Sequence, residues 1–184
     1  MARQCTDLLI EEHRLILRAV YVLKAMAGRA KENRMPEAQD VDKLLEFFRR
    51  FADDHHQGKE EAVLFPAVRN SALGRTDGPL GQMLFEHDQE RSLVEGLEDA
   101  LRTRNETDFA YYGARLADVV SNHIYKEDNI LFDLIEKTIT LEVDARVVEE
   151  MQHFDQAMNS RIHAKMTQLV SQLEWKYLGK AAQL

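Results

Sequence analysis

The chain of 184 residues contains a single cysteine, three prolines and eight glycines. One cysteine excludes an intramolecular disulfide framework and a thiolate metal cluster, so Cys5 reads as an inert thiol. Scarce glycine and proline disfavour a turn-rich β protein and lean toward long helices. No run of about 18 apolar residues occurs, and the N-terminal stretch from Met1 to Asp7 has no apolar signal core. The expectation is a cytoplasmic protein without a membrane partner. No basic block stands out, and the formal net charge is −8. That argues against nucleic acid as a partner. Hydrophobic residues at 45% are enough for one domain with a sizeable core, so residues 1–184 read as a single unit.

What is present is helical periodicity. Thr6-Asp7 supplies capping chemistry for a first helix to about residue 30, with Leu9, His13, Ile16, Val20 and Leu23 on one stripe. Residues 33–40, with Pro36, read as a loop. A second helix carries Val41, Leu44, Leu45, Phe48, Phe51 and Ala52 and continues through His56 to about Val68, with Pro66 able to kink its last turn. Residues 71–79, with Gly74 and Asp77-Gly78, read as a second loop. A third helix spans about 80–104 and a fourth about 109–137. A fifth segment covers about 141–177, with a polar, weakly ordered tail after Gly179. No strand alternation persists. The fold class is therefore all-α: an antiparallel up-down-up-down four-helix bundle over about 6–138 with an additional C-terminal helix.

Two segments repeat. His56-Gln-Gly-Lys59-Glu60-Glu61-Ala-Val-Leu64-Phe65 matches His123-Ile-Tyr-Lys126-Glu127-Asp128-Asn-Ile-Leu131-Phe132 at the histidine, lysine, glutamate, leucine and phenylalanine. Glu12-His13 pairs more weakly with Glu86-His87. The order is a duplicated helical hairpin. Residues four apart share a helix face, so His56 with Glu60, and His123 with Glu127, each aim an imidazole and a carboxylate at one point. Paired Glu and His projecting inward are how helical bundles build two-metal carboxylate sites. At about 1.5 Å per residue, His13 and His56 both lie roughly 30 Å from the first loop. His87 and His123 are likewise level with each other relative to the turn near Asn105. All six side chains are thus expected in one layer. Four imidazoles and two carboxylates suit iron, with manganese second, and the pattern disfavours a closed structural zinc site.

On these residues (Glu12-His13, His56-x-x-x-Glu60-Glu61-x-x-Leu64-Phe65-Pro66, Glu86-His87, His123-x-x-x-Glu127-x-x-x-Leu131-Phe132) the sequence resembles the hemerythrin-like, or HHE cation-binding, family from about Thr6 to Lys137. The resemblance implies a four-helix bundle with a bridged, non-haem di-iron centre. It also implies His13, His56, Glu60, His87, His123 and Glu127 as metal ligands. Oxygen carriers of that family have a second histidine four residues after the one in the third helix, and here that position is Arg91, which counts against a carrier. Their last carboxylate would select Asp128, while the internal repeat favours Glu127.

Beside these, His55 points about 100° from His56 and reads as a non-ligand, and Glu61 and Asp128 as acids that orient imidazoles. Lys59 and Lys126 read as a solvated face. His153 and His163 read as surface histidines, and Tyr111, Tyr112 and Tyr125 as packing residues. Two functions fit. One is binding or sensing of oxygen, nitric oxide or iron, signalled through a partner or a homo-oligomer. The alternative is a di-iron enzyme acting on peroxide or oxygen. A metal-dependent phosphohydrolase, suggested by His87-Asp88, is disfavoured because it needs no second His-x-x-x-Glu.

Overall fold

The apolar stripe of the first helix is buried along its whole length in the computed structural model, which describes residues 4–75, 78–158 and 161–179. Met1–Arg3, Asp77 and the tail from Lys180 lie outside the described residues. Helix α1 spans Gln4–Lys31. Its start is not capped by Thr6-Asp7 as the sequence suggests. The orphan amides of Gln4 and Cys5 donate to the Asp144 carboxylate at 3.2 and 3.1 Å, a distant acid placed at a helix N-terminus. Thr6, already inside the helix, donates its hydroxyl to Glu136 at 2.8 Å.

Residues 38–68 form one continuous helical rod: α2 (Ala38–Phe47), π-helical segments at Phe48–Gln57 and Glu60–Leu64, and α3 (Phe65–Val68). Helix α4 spans Pro79–Thr103. Proline at its first turn gives up only an amide that would be orphaned anyway, and Arg104 closes it in the left-handed region at φ 51°. Residues 106–138 form the next rod: α5 (Glu106–Lys126), a π-helical segment at Glu127–Leu131, and α6 (Phe132–Thr138). Asn105 caps it by accepting from the Asp108 amide at 3.0 Å. The expected single C-terminal helix is two helices, α7 (Leu141–Met158) and α8 (Ile162–Leu178). No strand occurs among the described residues, and none of their helices is long and apolar enough to cross a membrane.

Helix α5 packs along α1 and α4, and α8 lies against α1 and α2. The apolar core falls into two clusters. One is built from Leu15–Ala30, Val41–Ala52, Leu93–Ala100 and Phe109–Ile124, with α8 covering it. The other holds Cys5, Leu9, Val63–Val68, Leu80, Met83 and Leu131–Ile139, with Val147 and Met151 of α7. Between them, on every rod, sit buried polar side chains: Glu12 and His13, then His55, His56, Gln57, Lys59 and Glu60, then Glu86, His87 and Glu90, then His123 and Glu127. A polar layer that interrupts a core forfeits hydrophobic stabilisation, and it persists where its groups are satisfied by partners or by a bound ion.

Candidate metal centre

Both His-x-x-x-Glu motifs run into π-helical turns at matching positions, Glu60–Leu64 and Glu127–Leu131. The amide of Phe65 bonds back to the Glu60 carbonyl, and that of Phe132 to Glu127, five residues in each case. Helix is expected here, and the π-helical turns are a departure that the spacing alone does not reveal. Such turns insert an extra residue and are frequent at functional sites. Leu64, Phe65, Leu131 and Phe132, which match in the repeat, are all buried. Phe132 stacks on His13 at 5.6 Å and Phe65 on His87 at 6.1 Å.

The six side chains named from the sequence converge in two overlapping groups. His13, His56, Glu60 and Glu127 form one, and Glu60, His87, His123 and Glu127 the other; within each, one nitrogen or oxygen per residue lies within 4.8 Å of the rest. Glu60 and Glu127 belong to both. Across the centre His13 Nε2 lies 3.1 Å from Glu127, His123 Nε2 3.3 Å from Glu127, His87 Nε2 3.4 Å from Glu60, and His56 Nε2 3.9 Å from Glu60. All six are buried.

The outward nitrogens show what the inward ones are for. His13 Nδ1 donates to Asp128 at 2.7 Å, His56 Nδ1 to Glu12 at 3.0 Å, His87 Nδ1 to Glu61 at 2.8 Å and His123 Nδ1 to Glu86 at 3.0 Å. A carboxylate only accepts, so each neutral imidazole carries its proton on Nδ1 and turns the Nε2 lone pair inward. Carboxylate–imidazole pairs of this kind orient metal-binding histidines and raise their basicity. The network obeys the sequence repeat, Glu12 answering to Glu86 and Asp128 to Glu61. The inner face is left wanting: His13 Nε2, His56 Nε2 and both oxygens of Glu60 and of Glu127 are buried without a hydrogen-bond partner. Orphans of this number at one point are costly unless a cation occupies their midst. The donor set therefore fits metal binding.

In the metal-free chain, protons take that place. Burial alone would lower the imidazoles of His13 and His87. The hydrogen bond to Asp128 and the nearby carboxylate of Glu127 around His13, and the nearby carboxylate of Glu60 with the hydrogen bond to Glu61 around His87, outweigh it and raise both to about 9. Burial likewise opposes, without preventing, a marked rise at His123 beside Glu127 and Glu86. The acids answer in the opposite sense. Burial would raise Glu127, but the imidazoles of His123 and His13 close beside it hold it well below the usual carboxylate range. The hydrogen bond from His87, followed by that from Arg91, outweighs burial and brings Glu61 to about 2.

Several side chains differ from their sequence reading. Lys59 is not on a solvated face. It is 2% exposed, and its ammonium contacts Glu12 and lies 3.0 Å from Asp155 of α7 and 3.3 Å from His55. His55 lies outside the two groups that share Glu60 and Glu127, and it is buried and bonds Glu12 at 3.1 Å through Nε2. Glu12, His55 and Asp155 also form a cluster of metal-ligating types, but the chain supplies its own cation there. Lys126 repeats the contact with Glu86 from a side chain that is one-third exposed. We expect Lys59→Met to destabilise the protein by about 3–5 kcal/mol, because it leaves a buried carboxylate uncompensated. Lys126→Met should cost about 0–1 kcal/mol. Urea unfolding of the two variants checks this, and equal costs would refute the asymmetry. Arg91 is held by acids: its guanidinium donates to Asp53 at 2.9 Å, Asp88 at 3.0 Å and Glu61 at 2.6 Å. His153 and His163 are exposed, as are Tyr111 and Tyr125.

Sequence reasoning quoted Glu12 and Glu86 without giving them a role. The signal was available, since each precedes a histidine at the same place in the repeat. It missed Gln57 and Glu90 altogether. Gln57 Nε2 donates to Glu90 at 2.7 Å, and burial pushes the Glu90 carboxyl up. Glu90 stands three residues after His87 and so faces the same way.

Comparison with known proteins agrees with this geometry. The sequence pattern of the hemerythrin HHE cation binding domain matches residues 5–135, the stretch that carries every donor described above. Neither curated proteins nor solved structures gave a match. With more than half its length matched, and with the His and Glu of the pattern gathered at one buried point, the chain belongs to the hemerythrin HHE cation-binding family.

Proposed function

We propose that the buried layer holds two metal ions, with iron the first choice and manganese the second, inside an antiparallel up-down-up-down four-helix bundle. His13 and His56 would hold one ion, His87 and His123 the other, and Glu60 and Glu127 would bridge them. The observation that carries this reading is the set of orphaned inward atoms, faced by imidazoles whose outer nitrogens are all fixed by carboxylates. The nitrogen and oxygen donors suit iron, and the lone thiol belongs to neither donor group. Elemental analysis after expression in iron-supplemented medium tests it. About two irons per chain are expected, and one ion, or zinc alone, refutes it.

Two imidazoles and two shared carboxylates leave each ion short of a full octahedral set, so exogenous ligands have room. Arg91 does not fill the gap, because a guanidinium stays protonated and this one is spent on three acids. The reading favoured is binding or sensing of a small molecule such as oxygen or nitric oxide, or of iron itself. The same open positions favour a second reading, catalysis on peroxide or oxygen, in which bound iron supplies the redox chemistry. In either case the chain's own part is to fix the imidazoles, exclude bulk water and keep the acids ionised. Exposing anaerobic iron(II)-loaded protein to oxygen and then degassing it separates these from oxygen carriage. We expect the optical spectrum to change and not return. Full return on degassing would restore the carrier reading.

A further inference from the structure

The wall of the centre on the α4 side is made by the Gln57–Glu90 hydrogen bond. Gln57 is 3% and Glu90 6% exposed, and the remaining oxygen of each, Gln57 Oε1 and Glu90 Oε1, is buried without a partner. On the inner side of this pair lies a cavity of about 10 Å³, bounded also by His56, His123, Ile16 and Val120. On the outer side a surface pocket of about 400 Å³ opens between α4 and the 48–57 segment, with Arg49, Asp53 and Arg91 around it. Gln57, Glu90 and Ala52 line both spaces. Cavity and pocket are thus separated by the thickness of one hydrogen-bonded pair.

We infer that the Gln57–Glu90 pair is the door through which small exogenous ligands of two or three heavy atoms pass from the surface pocket to the metal centre. The inference rests on the two-metal reading above. A cavity of about 10 Å³ admits a single water at most. Anything larger reaches the imidazoles of His56 and His123 from this side only when the pair parts. The partition is poorly held for a buried wall, because one hydrogen bond spans it while two oxygens go unsatisfied, and such groups favour rearrangement over permanence. The four acids that bind the Nδ1 atoms, Glu12, Glu61, Glu86 and Asp128, are not among the residues shared by the two spaces. Opening the pair therefore leaves the imidazoles oriented.

The test uses azide as the probe and the full-length iron(III)-loaded chain. Metal content is measured first in the wild type, Gln57→Ala, Glu90→Ala and Glu90→Gln. All four should keep the same iron, and azide association, followed optically, should accelerate at least tenfold in both alanine variants. Glu90→Gln, which preserves the hydrogen bond, should stay within about twofold of wild type. Unchanged rates in the alanine variants would place access elsewhere and overturn the inference. Acceleration in Glu90→Gln equal to that in Glu90→Ala would show a charge barrier in place of a steric door, and overturn it as well. Loss of iron in Glu90→Ala with retention in the wild type would make Glu90 part of the metal-holding set, again against the inference. Wild-type protein that takes up no iron would overturn the two-metal reading and this one together.

Discussion

Glu60→Ala and Glu127→Ala should each empty the whole centre, while His13→Ala and His87→Ala should each leave about one of two ions in place. The difference follows from the overlap of the two donor groups. Each carboxylate is common to both groups, whereas each imidazole serves one. Removing His87 leaves His13, His56 and both carboxylates of the first group; removing Glu60 takes a donor from all. The metal-free chain should lose stability as well. Glu60 is one of the acids that keep the buried His87 imidazole protonated, and removing it leaves that charge one partner short. Metal-free Glu60→Ala should therefore melt below metal-free wild type at about pH 7. His153→Ala and His163→Ala, at exposed positions, serve as controls with full metal content. Elemental analysis and metal-free melting curves supply the readings. Glu60→Ala protein that retains about two ions would end the bridging role.

The buried layer of His and Glu was legible in the sequence because its pattern is local and repeated. An imidazole and a carboxylate four residues apart must share a helix face, and the duplication set the pattern apart from surface His and Glu. The helical depth estimate worked for the same reason: rise per residue is fixed, so four rods of known turns bring equal depths together. What escaped was non-local. Lys59 has the spacing of a solvated residue, and only the acids of α1 and α7, Glu12 and Asp155, draw it inside. The start of α1 misled because its capping acid, Asp144, stands 139 residues along the chain from Cys5. The π-helical turns escaped because a spacing of four is compatible with either helix, and the extra residue shows only in the hydrogen bonds back to Glu60 and Glu127. Helices α7 and α8 carry nearly continuous helical periodicity, so residues 141–177 read as one. The acids that Arg91 binds escaped too, because Asp53 and Glu61 come from the α2–α3 rod beside α4 and only Asp88 is local.

Metal should raise the melting temperature by about 10–20 °C at pH 8–9 and by little at pH 6, while the metal-free chain should follow the opposite trend. The magnitude assumes free metal at about 100 times Kd at two sites, or about 5 kcal/mol, with about 2–4 °C per kcal/mol for a domain of this size. The sign comes from the imidazoles. In the metal-free fold His13 and His87 are raised to about 9, against about 6.5 in an unfolded chain. A raised group stabilises fully below its unfolded value and loses that contribution as pH rises through its folded value. Metal-free protein should therefore weaken from about pH 7 to pH 9 and beyond. The same protons compete with metal, because an imidazole binds only when neutral, so apparent affinity should rise over that window. The outer acids do not confuse the result. Burial would raise Glu86, but the bonds from His123 and Lys126 bring it to about 2, and Glu61 sits at a similar value. Their contribution is present above about 4.5 and lost as pH falls toward about 2, well below the range of the experiment. Melting curves with and without manganese(II) at pH 6, 7, 8 and 9 decide the matter without redox chemistry. A metal-induced shift that is constant across that range, or metal-free protein that gains stability toward pH 9, would mean that the protons on His13 and His87 are not what the metal displaces.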